Sequence, residues 1–192
     1  ILDLPKFGAI NLHMAPLPKY RGIHPENWAL INGEKEMGFT VHYLDEGIDT
    51  GDIIEQSSVK ILDQDNILSL TFKLAEFAPN LLLKVVKDFK NGKFKRKPQD
   101  SKRGSYYPPR RPEDGEIDWN RDSHEIISLI KALVRPYPGA RTTLNNKRYI
   151  VWAAEFLDSK EDISNENQSY PNEDLIIKTN DGYIKILDFQ EI

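Results

Sequence analysis

Residues Phe7 to Gly22 read F-G-A-I-N-L-H-M-A-P-L-P-K-Y-R-G, an apolar run that breaks into a loop. From Phe7 to Ala15 the only strongly polar members are Asn11 and His13, so the run reads as a β-strand covered on both faces. Being two residues apart, Asn11 and His13 project from the same face of that strand. Pro16, Pro18 and Gly22 then forbid regular structure, which makes the end of the strand an opening of the kind where open α/β sheets carry their sites.

Working outward, His24-Pro25 sets up a helix over Glu26 to Ile31, ended by Asn32-Gly33. Gly38 to Leu44 and Asp52 to Ile61 read as strands, joined by the glycine-flanked loop D-E-G-I-D-T-G at 45–51. Between Asp65 and Asn91, apolar residues recur at three- and four-residue intervals, from Ile67 through Leu70, Leu74 and Leu81 to Val85, which predicts a helix capped by Asp65 and stopped by Gly92. Pro79 lies inside it and is expected to bend or divide it.

Residues 93–115 are rich in charge, proline and glycine and read as a linker, its Lys and Arg residues forming a solvated face. The expected organisation is therefore an α/β catalytic part over 1–92, the linker, and a small β-rich domain over 116–192. In the last, a short strand near 116–119, a helix over 123–134 and strands near 140–144, 149–155, 174–179 and 183–189 are predicted.

Composition narrows the chemistry. The 192 residues contain no cysteine, which excludes disulfide scaffolds, thiolate metal sites and cysteine nucleophiles and fits a reducing, cytoplasmic setting. No apolar run reaches the roughly 18 residues that cross a bilayer, so no membrane association is expected. Residues 105–192 hold 11 basic and 16 acidic residues, a balance that disfavours docking onto a polyanion.

Asn11, His13 and Asp49 together offer an amide donor, a group that titrates near neutrality and a carboxylate that orients the imidazole. Satisfied core polar groups and a turn-forming Asp would give the same spacing, and spacing alone favours that plainer reading. A metal site from His13, His24, His42 and Asp45 lacks any zinc-type spacing, so none is expected.

The order of the motifs decides between these readings. N-L-H-M-A-P-L-P-K-Y-R-G at 11–22, G-F-T-V-H at 38–42 and D-E-G-I-D-T-G-D at 45–52 together resemble the folate-dependent formyltransferase family. P-E-D-G-E-I-D-W at 112–119 and P-Y-P-G-A at 136–140 resemble the C-terminal domain of those members that act on methionyl-tRNA or on nucleotide-linked amino sugars. Ala15-Pro16-Leu17-Pro18 departs from the family's usual Ser-Leu-Leu-Pro, which touches the geometry of the folate loop rather than the reaction.

The resemblance implies the C-terminal half of a Rossmann-like formyltransferase domain followed by an OB-like β-rich domain. The first half of the sheet, on the order of 80 to 100 residues, is expected to be missing before Ile1. It implies catalysis by Asn11, His13 and Asp49. Asn11 and protonated His13 would stabilise the oxyanion formed when an amine attacks the formyl carbon of 10-formyltetrahydrofolate, while Asp49 keeps His13 charged and accepts the amine's proton. Folate contacts are expected from Leu17, Pro18, Asp45, Gly47 and Asp49, and contacts to the acceptor from Lys19, Tyr20 and Arg21. Arg110, Arg111, Trp28, Tyr106 and Tyr107 are further residues that could meet a diphosphate or stack on a base. The acidic C-terminal part favours a nucleotide-linked amino sugar as acceptor, with tRNA still open and a homodimer allowed.

Overall fold

The structure, a computed structural model, describes residue 2 and residues 4–157 and 175–192. It divides into two units, residues 1–29 with 34–109 and residues 30–33 with 110–192. The division at Pro109 and Arg110 falls within the stretch that reads as a linker.

In the first unit β1 (Ile10–His13) is followed by β2 (Arg21–Gly22), α1 (Pro25–Ile31), β3 (Glu36–Tyr43), β4 (Ile53–Lys60), α2 (Ile67–Lys90) and β5 (Tyr106–Tyr107). A three-stranded sheet has the order β1-β3-β4 and is antiparallel throughout. β1 is shorter than the nine-residue run suggests, and Ile10, Asn11 and Leu12 are half-buried rather than covered. The reason is local: among the described residues β1 has one hydrogen-bonding neighbour, β3, and Gly8, at φ 82°, turns the chain before it.

Helix α2 buries Ile67, Leu70, Leu74, Ala78, Leu81 and Val85 and packs on β3 and β4. A fully buried Leu such as Leu70 contributes about 1.5–3 kcal/mol of transfer free energy. Asp65 is not the cap. Asn66 is, accepting from the Leu68 and Ser69 amides, while buried Asp65 receives the Leu62 amide, the Ser69 hydroxyl and the Lys73 ammonium.

The helix runs undivided through Pro79. Pro79 cannot bond the Ala75 carbonyl one turn back, but both residues lie on the exposed face, where water can take that carbonyl. Pro79→Ala is therefore expected to stabilise the protein by about 1–3 kcal/mol. A thermal midpoint unchanged or lowered by that substitution would contradict this placement.

The second unit holds α3 (Ser123–Ala132), β6 (Ala140–Leu144), β7 (Lys147–Leu157), β8 (Leu175–Lys178) and β9 (Tyr183–Glu191). Its antiparallel sheet has the order β6-β7-β9-β8, and α3 packs on β7, burying Ile126 and Ile130. Asn145 and Asn146 make the two-residue hairpin at φ 49° and 62°, the pair of left-handed conformations that asparagine tolerates best after glycine. Residue 174, where the eighth strand is expected to begin, lies outside the described residues.

Two sequence expectations are corrected in this region. No strand forms at 116–119. Glu116 makes a single bridge to Arg141, and the Asp118 carboxylate draws the Asn120 amide into a turn. The stretch 93–109 is not free chain: Lys97 exchanges both backbone hydrogen bonds with Ile53, and β5 pairs in parallel with β2.

Candidate active site

The register of β1 on β3 sets Asn11 opposite His42, with His13 two residues along on the same face as Asn11. Because the two strands run antiparallel, their C-terminal ends lie at opposite ends of the pair. The trio is not gathered at one shared C-terminal edge. Instead the loop after β3 folds back and carries Asp49 to the side of β1. Asp49 sits at φ 55°, a left-handed conformation that Asp adopts more readily than most residues.

Four side chains converge. The Asp49 carboxylate lies between two imidazoles, Oδ2 3.7 Å from Nδ1 of His13 and Oδ1 3.7 Å from Nε2 of His42. The Asn11 amide Nδ2 is 3.3 Å from Nε2 of His42. The two rings cross at 86°, so one carboxylate can face both. Both histidines are buried, while Asn11 and Asp49 stay partly open and form the accessible edge of the cluster.

Neighbouring carbonyls settle the protons. Nδ1 of His42 donates to the Tyr43 carbonyl at 2.8 Å, which leaves Nε2 as the acceptor for Asn11 in the neutral ring. Burial is the main influence on His42 and holds its pKa below the ordinary histidine value. The Tyr43 carbonyl and the charge of Asp49 oppose that shift without reversing it. Nε2 of His13 donates to the Tyr20 carbonyl at 2.9 Å, so a proton on Nδ1, facing Asp49, makes the imidazolium.

The loop from Pro16 to Gly22 braces this cluster. The Gly22 amide donates to Oδ2 of Asp49 at 2.9 Å. Gly22 has φ 104°, and a Cβ there would lie 2.3 Å from the Tyr107 carbonyl oxygen. Gly22→Ala is therefore expected to cost about 2 kcal/mol or more and to loosen the bond to Asp49. A thermal unfolding midpoint equal to that of the parent would refute this.

Several expected contacts prove to be structural. Tyr20 and Arg21 are each only 4% exposed, so neither is open to a substrate. The Tyr20 hydroxyl donates to Glu34, and the Arg21 guanidinium donates twice to Oε1 of Gln99, at 3.2 and 2.6 Å. Leu17 is buried, its amide bonded to the Thr40 hydroxyl and its carbonyl to the Gln56 amide. Tyr107 stacks on Tyr20 and meets the Trp28 ring, and Trp28 Nε1 donates to the Pro108 carbonyl. Lys19, Asp45 and Gly47 are exposed. Asp45 shapes its own loop by accepting from the Gly47 amide and the Thr50 hydroxyl.

A cleft of about 620 Å³ is lined by Pro16, Leu17, Pro18, Gln56, Lys97 and Arg103, among others, but by none of Asn11, His13 or Asp49. The loop thus borders the cleft on one side and the polar cluster on another. Among the described residues no three His, Asp or Glu side chains are grouped to hold a metal ion, and no helix is long and apolar enough to cross a membrane.

Sequence reasoning missed Gln99 and weighed His42 only as a metal ligand. His42 lies within G-F-T-V-H, where alternation along β3 gives it no polar signature of its own. Gln99 lies in a stretch without periodicity.

Comparison with known proteins gives a consistent family. The sequence model for formyl transferase matches residues 1–86, and that for its C-terminal domain matches residues 110–192. Methionyl-tRNA formyltransferase from Halothermothrix orenii is 39% identical over 197 residues, covering 99% of this chain and 62% of that protein. The bifunctional polymyxin resistance protein ArnA of Wigglesworthia glossinidia brevipalpis is 42% identical over 155 residues, covering 81% of this chain and 24% of that protein. The chain thus spans less than two thirds of the length of these relatives. Among solved structures, an N-formyltransferase from Helicobacter canadensis shares the fold at a TM-score of 0.76 and 24% identity, covering 96% of this chain and 66% of that one. WlaRD, a sugar 3N-formyl transferase solved with dTDP and 5-N-formyl-THF, matches at a TM-score of 0.74 and 25% identity, covering 96% and 65%.

Proposed function

Since the chain belongs to the formyl transferase family, we propose that it transfers a formyl group from 10-formyltetrahydrofolate to a primary amine. The observation that carries this reading is the placement of one carboxylate, Asp49, between two imidazoles and beside the Asn11 amide. The folate cosubstrate supplies the activated one-carbon group.

The residues present fit such a cosubstrate. Asn11 has a second amide hydrogen that no described residue takes, at the open edge of the cluster. Beside it the segment after β3 exposes Leu44 and Ile48, apolar cover for a flat ring system.

The chemistry of the chain's own groups follows from their bonds. Asn11 donates its remaining N–H where negative charge develops on the formyl oxygen. His13, held by Tyr20, carries its second proton on Nδ1, where it faces Asp49 and adds a positive charge to the same edge. Asp49 keeps that charge in place and accepts the proton that the attacking amine must lose, which would then pass to the folate nitrogen as its bond to the formyl carbon breaks and tetrahydrofolate leaves. Its Oδ2 is fixed by Gly22 and by attraction to His13, which leaves Oδ1 as the proton acceptor. Neutral His42 supports this by taking one Asn11 hydrogen and so fixing the direction of the other.

The acceptor that fits this chain best is a nucleotide-linked amino sugar. Residues 105–192 are net acidic, whereas a tRNA-binding surface draws much of its affinity from Lys and Arg on phosphates. The sugar N-formyltransferase likeness points the same way. Methionyl-tRNA is the second reading, favoured by relatives with that name that match along almost the whole chain. Assays with both acceptors across a salt series separate the two. The sugar reading expects turnover of the amino sugar with a shallow salt response. Turnover of methionyl-tRNA alone, falling steeply with salt, would replace it.

A further inference from the structure

Gln99 lies outside every motif that points to formyl transfer, yet its side chain uses its full hydrogen-bonding capacity next to Asp49. Nε2 donates to the Asp49 carbonyl at 2.8 Å and to the Gly51 carbonyl at 2.7 Å. Oε1 accepts twice from the buried Arg21 guanidinium. The opposite amide orientation would set oxygen against two carbonyl oxygens and an NH2 against a guanidinium, so the network itself fixes the assignment.

The loop that receives these bonds needs holding. Residues 44–48 are exposed, and Asp49 is in the left-handed region. At its far side the loop passes so close to β3 that a Cβ on Gly51 would lie 1.9 Å from the Tyr43 carbonyl oxygen. Exposed loops with few apolar contacts open at low free-energy cost. The two Gln99 bonds bracket Asp49 and Gly51 and tie both to Arg21, whose neighbour Gly22 binds the Asp49 carboxylate.

We infer that Gln99 is a positioning residue for Asp49, a strut from the segment after α2 that aims the carboxylate at His13 and His42. Its importance for turnover rests on the formyl-transfer reading. The aiming itself does not, because it fixes where the carboxylate charge sits relative to His42. The groups facing His42 are Asp49, His13 and Asp45, together with the Tyr43 carbonyl and the Asn11 amide. Only Asp49 is held by Gln99.

Two variants separate aiming from general support. Gln99→Glu keeps an acceptor for Arg21, now as an ion pair, but places a carboxylate against the two loop carbonyls. Its unfolding midpoint should stay near that of the parent, while kcat falls on the order of a hundredfold, the usual result of misplacing a reacting group by about 1 Å, with little change in KM for the formyl donor. Gln99→Met is neutral and of similar size, and leaves buried Arg21 without this acceptor. It should unfold at lower temperature and, in the folded protein followed by NMR, show His42 titrating at lower pH than in the parent, because the carboxylate charge that raises it has moved away. Parental kcat in Gln99→Glu, or an unchanged His42 titration in Gln99→Met, overturns the inference. If the parent transfers no formyl group to any amine, the formyl-transfer reading fails, and the His42 titration still decides whether Gln99 aims Asp49.

Discussion

Replacing His13 with alanine is expected to lower kcat by roughly 10²–10⁴-fold, the range that a positioned acid–base group contributes, while the formyl donor binds nearly as before. His13 is buried between the Tyr20 carbonyl and the Asp49 carboxylate and offers little surface to a folate ring, so its loss removes a group beside Asp49 rather than a binding contact. Its loss also frees the Tyr20 carbonyl and one side of Asp49. The folded protein should survive this, since Gly22 and Gln99 still hold the loop. Steady-state kinetics with donor affinity measured separately checks the split. A variant that loses donor affinity in proportion to turnover would move His13 from the chemistry to binding.

Asp49→Asn should reduce turnover on a similar scale, about 10²–10⁴-fold, and should also leave a signature in stability against pH. Burial already holds the pKa of His42 below the ordinary value of 6.5, and Asp49 is one of the groups that raises it. With the folded pKa depressed, the unfolded chain binds the proton first. Stability is therefore fully present above about pH 6.5 and is lost as pH falls from there through the folded value. Removing the carboxylate lowers the folded value further, so the loss spans a wider range and becomes larger. Unfolding midpoints of parent and Asp49→Asn between about pH 7.5 and 5 test this. A variant less sensitive to acid than the parent across that range contradicts the assignment of the Asp49 charge to His42.

The parts of the site legible in the sequence are those that depend on local pattern. Asn11 and His13 share a face because strands alternate, and the β-branched and aromatic run Gly38 to Leu44 falls on β3 within two residues of its observed start and one of its end. The long helix follows from its apolar spacing despite Pro79, since the carbonyl left unpaired lies on the solvent side. What the sequence hides depends on residues distant along the chain. His42 joins the cluster only through the register of β1 on β3, which no spacing reveals. Arg21 and Tyr20 look like substrate contacts because they are polar and in a loop, and they turn out buried because the segment after α2 returns to cover them. Gln99 is the clearest case, a residue 50 positions from Asp49 that meets it through that return.

Whether Asn11, His13 and Asp49 move a formyl group is tested most directly by a single-turnover experiment. The protein is loaded with 10-formyltetrahydrofolate labelled in the formyl carbon, then mixed with a nucleotide-linked amino sugar or with methionyl-tRNA, and the label is followed into the amine product as tetrahydrofolate appears. Equal amounts of the two products are expected from the parent and, from Asp49→Asn, retained donor binding with label transfer slowed by about 10²-fold or more. Label transfer at the parental rate in Asp49→Asn would contradict that role.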